Sequence, residues 1–189
     1  LVPEEEQPYE VPENWVWVNV GDVIELISGR DISSKQCNID GKGVPYIIGA
    51  SNIENAQLVI ERWIEKPTVI GKRGDILISV KGTVGKLIIQ ELEKVHLSRQ
   101  IMALRCERRV FNKYLFYYMH TYVNKLKEAS KGVIPGIARK DILNAPFPLP
   151  PLNEQKRIAH KVERLLEKID EAKQLIEEAR ETFELRKAA

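Results

Sequence analysis

The hydrophobic pattern changes its period along this chain, and each change predicts a different element. WVWVNV (15–20) is a run of strand-forming residues. Val20, Val23, Ile24 and Ile27 then recur at helical spacing, which predicts a short helix stopped at Gly29. The segment 30–43 is polar and rich in turn residues, and VPYIIGASNI and AQLVIERWI after it read as strands. In GDILISVKGTVGKLIIQ (74–90), Ile76, Ile78 and Val80 alternate on one face. The chain turns at Lys81-Gly82-Thr83 and apolar residues resume through Ile89, which predicts a hairpin. VHLSRQIMALRC (95–106) reads as one further strand. KYLFYYMHTYVNKL (113–126) has the helical period, with Asn112 available as its cap. Its repeating face makes Tyr118 and Tyr122 core residues rather than stacking platforms.

The last forty residues follow another rule. PFPLPPLNEQKRI (146–158) holds four prolines in six positions, and none follows. From there Ile158, Val162, Leu165, Ile169, Ala172, Ile176, Ala179 and Phe183 alternate steps of four and three. A sustained period of 3.5 is the mark of a coiled-coil seam, which needs a partner helix. The alternative is a helix folded back on its own domain. Asn153 is placed to cap the helix, with Glu154 in its first turn. Ile158 to Phe183 is twenty-six residues, about 39 Å of helix. One turn of B-DNA is about 34–36 Å. An antiparallel pair of such helices would hold two globular heads about one DNA turn apart.

Charge separates the same regions. Residues 1–14, an acidic arm expected to be flexible or laid on the surface, carry five Glu and no base. Residues 15–150 carry twenty Lys and Arg against thirteen Asp and Glu, and residues 151–189 carry nine of each. The excess is densest over 72–140, at fifteen against five. A basic globular stretch beside a neutral rod is an electrostatic footprint for nucleic acid. Hydrophobic residues make up 43% of the chain, enough for a packed core. The apolar runs are too short to span a bilayer, and the acidic start carries no signal-peptide pattern. Cys37 and Cys106 are isolated, so a reducing cytoplasm is the expected setting. The chain opens on Leu1 rather than Met, as a trimmed fragment does.

Catalytic and metal motifs are not found. His96, His120 and His160 are scattered, with no Cys or carboxylate at ligand spacing. GTVGK (82–86) is too short for a Walker phosphate loop. NAPF (144–147) resembles the N-P-P-F/Y signature of amino-group DNA methyltransferases, but Ala145 replaces the first proline and no Gly-rich motif precedes it. No cofactor or metal is expected.

Taken together, the motifs resemble those of type I restriction-modification specificity subunits. PLPPLNEQKRI and the heptad helix after it resemble that family's conserved region. PENWVWVNVGDVIELISG resembles the opening of its target recognition domain, and GDILISVKGTVGK, RQIMAL and KYLFYYM resemble its middle. The resemblance implies an α+β chain. A strand-rich mixed recognition domain (15–150) follows the arm (1–14) and leads into a long C-terminal coiled-coil helix (151–189). It implies a subunit without catalysis of its own that binds double-stranded DNA. Modification subunits would supply the methyl-donor site and flip an adenine, and a restriction subunit would add ATP-driven cleavage. Family members carry two recognition domains and two antiparallel helices; this chain has one of each. It therefore resembles a half-subunit pairing with a second copy, or one half of a longer subunit.

Direct readout needs Arg or Lys against guanine and Asn or Gln against adenine, while other cations need only meet phosphates. Four regions offer such groups. They are Ser51 and Asn52 after the GAS turn; Lys81, Thr83 and Lys86 at the hairpin; Arg99 and Gln100 on the following strand; and Lys131, Arg139 and Lys140 around the Gly132–Gly136 loop. The rival classes are a coiled-coil scaffold whose basic domain binds protein, and a short DNA adenine methyltransferase using NAPF.

Overall fold

The computed structural model describes residues 1–129 and 136–188. The strands, in chain order, are β1 (Val16–Asn19), β2 (Ile24–Ser28), β3 (Cys37–Asn38), β4 (Val44–Ile47), β5 (Ile53–Glu54), β6 (Gln57–Leu58), β7 (Trp63–Ile64), β8 (Ile70–Lys72), β9 (Ile76–Ser79), β10 (Leu87–Ile89), β11 (Lys94–Leu97), β12 (Ile101–Cys106) and β13 (Pro146–Leu149). The helices are α1 (Asn112–Ala129), α2 (Arg139–Leu143) and α3 (Leu152–Ala188).

Two sheets share the centre. One is antiparallel in the order β10-β9-β12-β2; the other runs β3-β7-β4-β11-β8, with β4 and β11 parallel. Strand β9 is buried along its whole length because it faces two cores. Ile76 and Ile78 join Leu104, Leu115 and Met119 on the helical side. Leu77 joins Val95, Leu97 and Ala103 between the sheets. Apolar residues at both parities are what a strand buried on both faces requires. The hairpin forms as its alternation predicts, with β9 and β10 paired from Ile76↔Ile89 to Ile78↔Leu87.

Several elements depart from the sequence reading. Residues 24–28 are a strand, not part of a helix; only Val20–Asp22 makes a short 3-10 turn. Ile24 and Leu26 point to the helical core and Ile27 to the other, so the period of two prevails. Five paired residues on β12 fix that choice. Residues 95–106 are two strands in different sheets. The chain crosses between them at Ser98–Gln100, where Ser98 N–H donates to Ile47 (3.0 Å) and Val80 N–H donates to the Gln100 carbonyl (2.8 Å). The acidic arm is laid on the surface, and order begins before residue 15. Val2 is buried and donates to Trp17 (3.1 Å), while the Trp17 indole donates to the Tyr9 carbonyl (3.2 Å).

The proline-rich segment forms β13, which among the described residues pairs only with β1, from Val16↔Leu149 to Asn19↔Pro146. A two-stranded ribbon tolerates the missing N–H groups. Helix α3 then begins at Leu152, one residue before the expected cap Asn153; the Pro151 carbonyl accepts the Glu154 (2.8 Å) and Gln155 (3.1 Å) amides. Asn112 is likewise the first helical residue of α1 rather than its cap, and its amide donates to the Gly74 carbonyl (3.1 Å).

The start of α3 is fastened to the head. Gln155 is buried; its Oε1 accepts the Phe111 amide (2.8 Å), and its Nε2 donates to the carbonyls of Arg109 (3.0 Å) and Pro150 (2.9 Å). Trp15 donates to Glu154 (3.1 Å), and Lys113 pairs with Glu163 (2.5 Å). Ala159 is fully buried and Ile158 packs on the helical core. Ile158 and half-buried Val162, both expected on the seam, thus lie where the helix still contacts its own domain. Farther along, Leu165, Ile169, Ile176 and Phe183 are 49–60% exposed. That exposure excludes a fold-back of this stripe onto the domain.

A buried ion pair ties the two sheets together. Asp75 is 3% exposed; it accepts Arg105 Nε (3.0 Å) and Nη2 (2.8 Å) and the Lys72 amide (2.7 Å). Arg105 also reaches Glu25, which is solvent-exposed (3.1 Å). Asp75→Ala should destabilise the fold by about 3 kcal/mol, because it removes the buried partner of the guanidinium and of the Lys72 amide. Glu25→Ala should cost under about 1 kcal/mol. Urea titrations of the two variants check the contrast.

Candidate nucleic-acid interface

Antiparallel order brings separate loops to one rim. The C-terminal ends of β9 and β2 and the N-terminal ends of β10 and β12 coincide, as the pairs Ile78↔Leu87, Ser79↔Ile101 and Ser28↔Met102 require. Strands β4 and β11 end beside them, with Ile47 opposite Leu97. The 136–139 segment closes the rim through Ile137 N–H to the Val80 carbonyl (3.0 Å). Turns 29–32, 48–53, 80–86 and 98–100 and the segment 136–139 therefore sit together, although they span more than a hundred residues of sequence.

The rim sorts the expected contact residues by what already holds them. Asn52 is buried; its Oδ1 accepts the Ile48 (2.8 Å) and Gly49 (3.2 Å) amides, and its Nδ2 donates to Val59 (2.8 Å). Its hydrogen-bonding atoms hold the turn in shape, which places the Asn52 amide inside the turn rather than on the exposed rim. Lys86 is half-buried, with Nζ on the carbonyls of Ala50 (3.0 Å) and Ile53 (2.8 Å). It braces the 50–53 turn from the hairpin and is likewise not a free cation. Ser51, Lys81 and Thr83 are exposed. Arg99 and Gln100 lie in the crossing between sheets, not on a strand. The Arg99 backbone and Nε both bond Asp31 (3.0 and 2.8 Å). Arg139 anchors one end of its guanidinium on the Leu26 carbonyl (3.1 Å) and Ser28 Oγ (2.6 Å). Lys140 is exposed beside it on α2. Lys131 lies outside the described residues.

The sequence reading missed Arg30, which is exposed on the rim, and Asp31, which orients Arg99. Their loop carries no motif; what selects it is a buried residue far away in sequence. His96 is fully buried. Its Nε2 donates to the Arg30 carbonyl (2.9 Å), and its Nδ1 accepts the Thr68 and Val69 amides (3.3 Å each). The Tyr46 ring packs against it at 5.1 Å with the planes tilted by 57°, and its hydroxyl accepts the Ile32 amide (3.4 Å). Burial lowers the His96 pKa, opposed by the Arg30 carbonyl and Asp31. The ring is therefore a neutral strut under the loop. In NAPF, Phe147 is fully buried and paired in β13, so it is unavailable to stack on a flipped base.

Residues 12–181 match the family described as the type I restriction modification DNA specificity domain. The chain belongs to that family. This specificity domain is 31% identical over 160 residues to the putative type I restriction enzyme MjaX specificity subunit of Methanocaldococcus jannaschii, covering 82% of this chain and 37% of that one. It is 31% identical over 173 residues to the EcoKI specificity subunit of Escherichia coli, with the same coverage. The HsdS subunit of Thermoanaerobacter tengcongensis superposes with a TM-score of 0.77 at 29% identity, over 87% of this chain and 41% of that one. A second structure, described in connection with complex assembly and conformational transition of the type I R-M system, gives 0.82 at 28% identity, over 89% and 42%. The chain thus spans well under half the length of these relatives. Among the described residues, no helix of the specificity domain is long and apolar enough to cross a membrane.

The His96 strut makes stability pH-dependent. Below the ordinary histidine value of about 6.5 the unfolded chain takes up a proton that the folded ring refuses. Stability should be insensitive to this group above pH 7 and fall as pH drops below about 6.5, with a slope of at most about 1.4 kcal/mol per unit. His96→Gln should remove that part of the slope, read from urea melts at pH 7.5 and 5.

Proposed function

We propose that this chain reads one half of a bipartite duplex DNA target for a type I restriction-modification system and has no catalysis of its own. The supporting observation is the rim, which gathers Arg30, Lys81, Arg99, Arg139 and Lys140 from four separate segments. A protein does not ordinarily concentrate cations from distant loops without a counter-charge. Among the described residues of the rim, Asp31 is paired with Arg99 and Asp141 accepts the Ala138 amide, which leaves the cations in excess. Lysines and arginines of the rim meet phosphates and set affinity, and the polar groups between them read base edges.

The exposed stripe of α3 from Leu165 to Phe183 supports pairing with a second rod, from another copy or a sister segment. Antiparallel pairing would place two rims facing one side of a duplex. The rods would also offer the docking surface for the modification subunits, which supply the methyl donor and extrude the adenine, and a restriction subunit would add cleavage. In the intact system, adenine methylation should map to a two-part motif with a fixed gap. A continuous motif, or none, rejects the reading.

Lys81→Glu should weaken duplex binding and lower the slope of log affinity against log salt by about 1. Unchanged affinity and slope would take the hairpin out of the interface. Ile169→Asp with Ile176→Asp should leave the head folded and reduce the particle to a single copy in light scattering. An unchanged oligomer would dismiss the seam.

A further inference from the structure

We propose that Gln100 is the residue that reads an adenine in the major groove, a specificity assignment that rests on the DNA-reading function above. Most of the strong hydrogen-bonding groups on the rim are already committed. Asn52 is buried with both amide atoms bonded, Lys86 is pinned, Arg99 is paired with Asp31, and Arg139 is tied to β2. Ser98 Oγ is bonded to the Ile48 carbonyl. The Gln100 amide makes no hydrogen bond among the described residues, while its backbone is fixed at both ends. Its N–H donates to Ser98 Oγ (3.0 Å) and its carbonyl accepts Val80 N–H (2.8 Å).

The surroundings keep that amide open. Gln100 is half-buried and lies between two glycines from different loops. A Cβ at Gly49 would come within 2.7 Å of Gln100 Oε1, and one at Gly82 within 3.7 Å. Side chains at these positions would crowd the amide; their absence leaves it a slot at the centre of the rim. The slot holds a group with one acceptor and two donors in a planar fork. That fork matches adenine, which presents N7 as acceptor and N6 as donor on one edge. Lys81 has no acceptor and suits a phosphate, and a single hydroxyl such as Thr83 serves any base.

The test uses the full chain reconstituted with modification subunits, against duplexes in which each base pair of the selected half-site is replaced in turn. Wild type should lose about 5- to 150-fold at one A·T pair, the worth of a bidentate contact. Gln100→Ala should erase the preference at that pair and keep the others. Replacing that adenine by 7-deazaadenine should weaken wild type and leave Gln100→Ala unaffected. Gly49→Ala meets only the mobile end of the side chain and has an extended backbone. It should stay folded, with an unchanged melting temperature, and blunt the same single preference. If Gln100→Ala weakens all sequences alike, or keeps every preference, the assignment is overturned. If wild type shows no sequence preference at all, the DNA reading falls, and this assignment with it.

Discussion

The buried amide of Gln155 is the central joint between head and rod. Three hydrogen bonds reach from one side chain to the entrance of α1, the chain before it and the proline segment. Each of those backbone groups lies where no regular ladder serves it. An apolar residue of the same size would fill the space but leave a buried donor and two carbonyls without partners, at about 1–3 kcal/mol each. The Gln in the NEQ motif is thus neither a surface residue nor a capping residue. It fixes where the helix leaves the domain. Ala159 one turn later lets the backbone come close enough for the rivet to close.

The same economy shapes the head. The central strands β9 and β12 each serve two cores, so neither sheet can shift without the other. Rigidity at that centre allows the rim to be made of turns alone. Several turns are held by buried or half-buried residues beneath them: Asn52 under 48–49, Lys86 under 50–53, His96 under 30 and 68–69. The groups that hold the rim and the groups that face outward are separate side chains, although they share chemical types.

That division explains what was legible in the sequence. The hairpin at 76–89 and the 3.5-residue stripe of α3 announce themselves by period alone, because each presents a simple face to one environment. The segment 20–27 fits a helical and an alternating pattern equally, and only its five partners on β12 decide it. The break at Ser98–Gln100 is invisible because no proline or glycine marks it; the hydroxyl of Ser98 does that work by bonding across to Ile48, just past the end of β4. Asn52 and Gln100 look alike on paper. Burial alone makes the first a strut and leaves the second open. Arg30 was missed because its loop has no signature, and the residue that places it lies sixty-six positions away.

The joint at Gln155 has one more implication, which is angular. From Ile158 to Phe183 the helix is a lever of about 39 Å. A tilt of about 5° at its root would move the far tip by about 3.4 Å, the rise of a single base pair. Were the rod to space two half-sites as proposed, that spacing would set a mechanical tolerance of a few degrees on one glutamine and the small residue beside it.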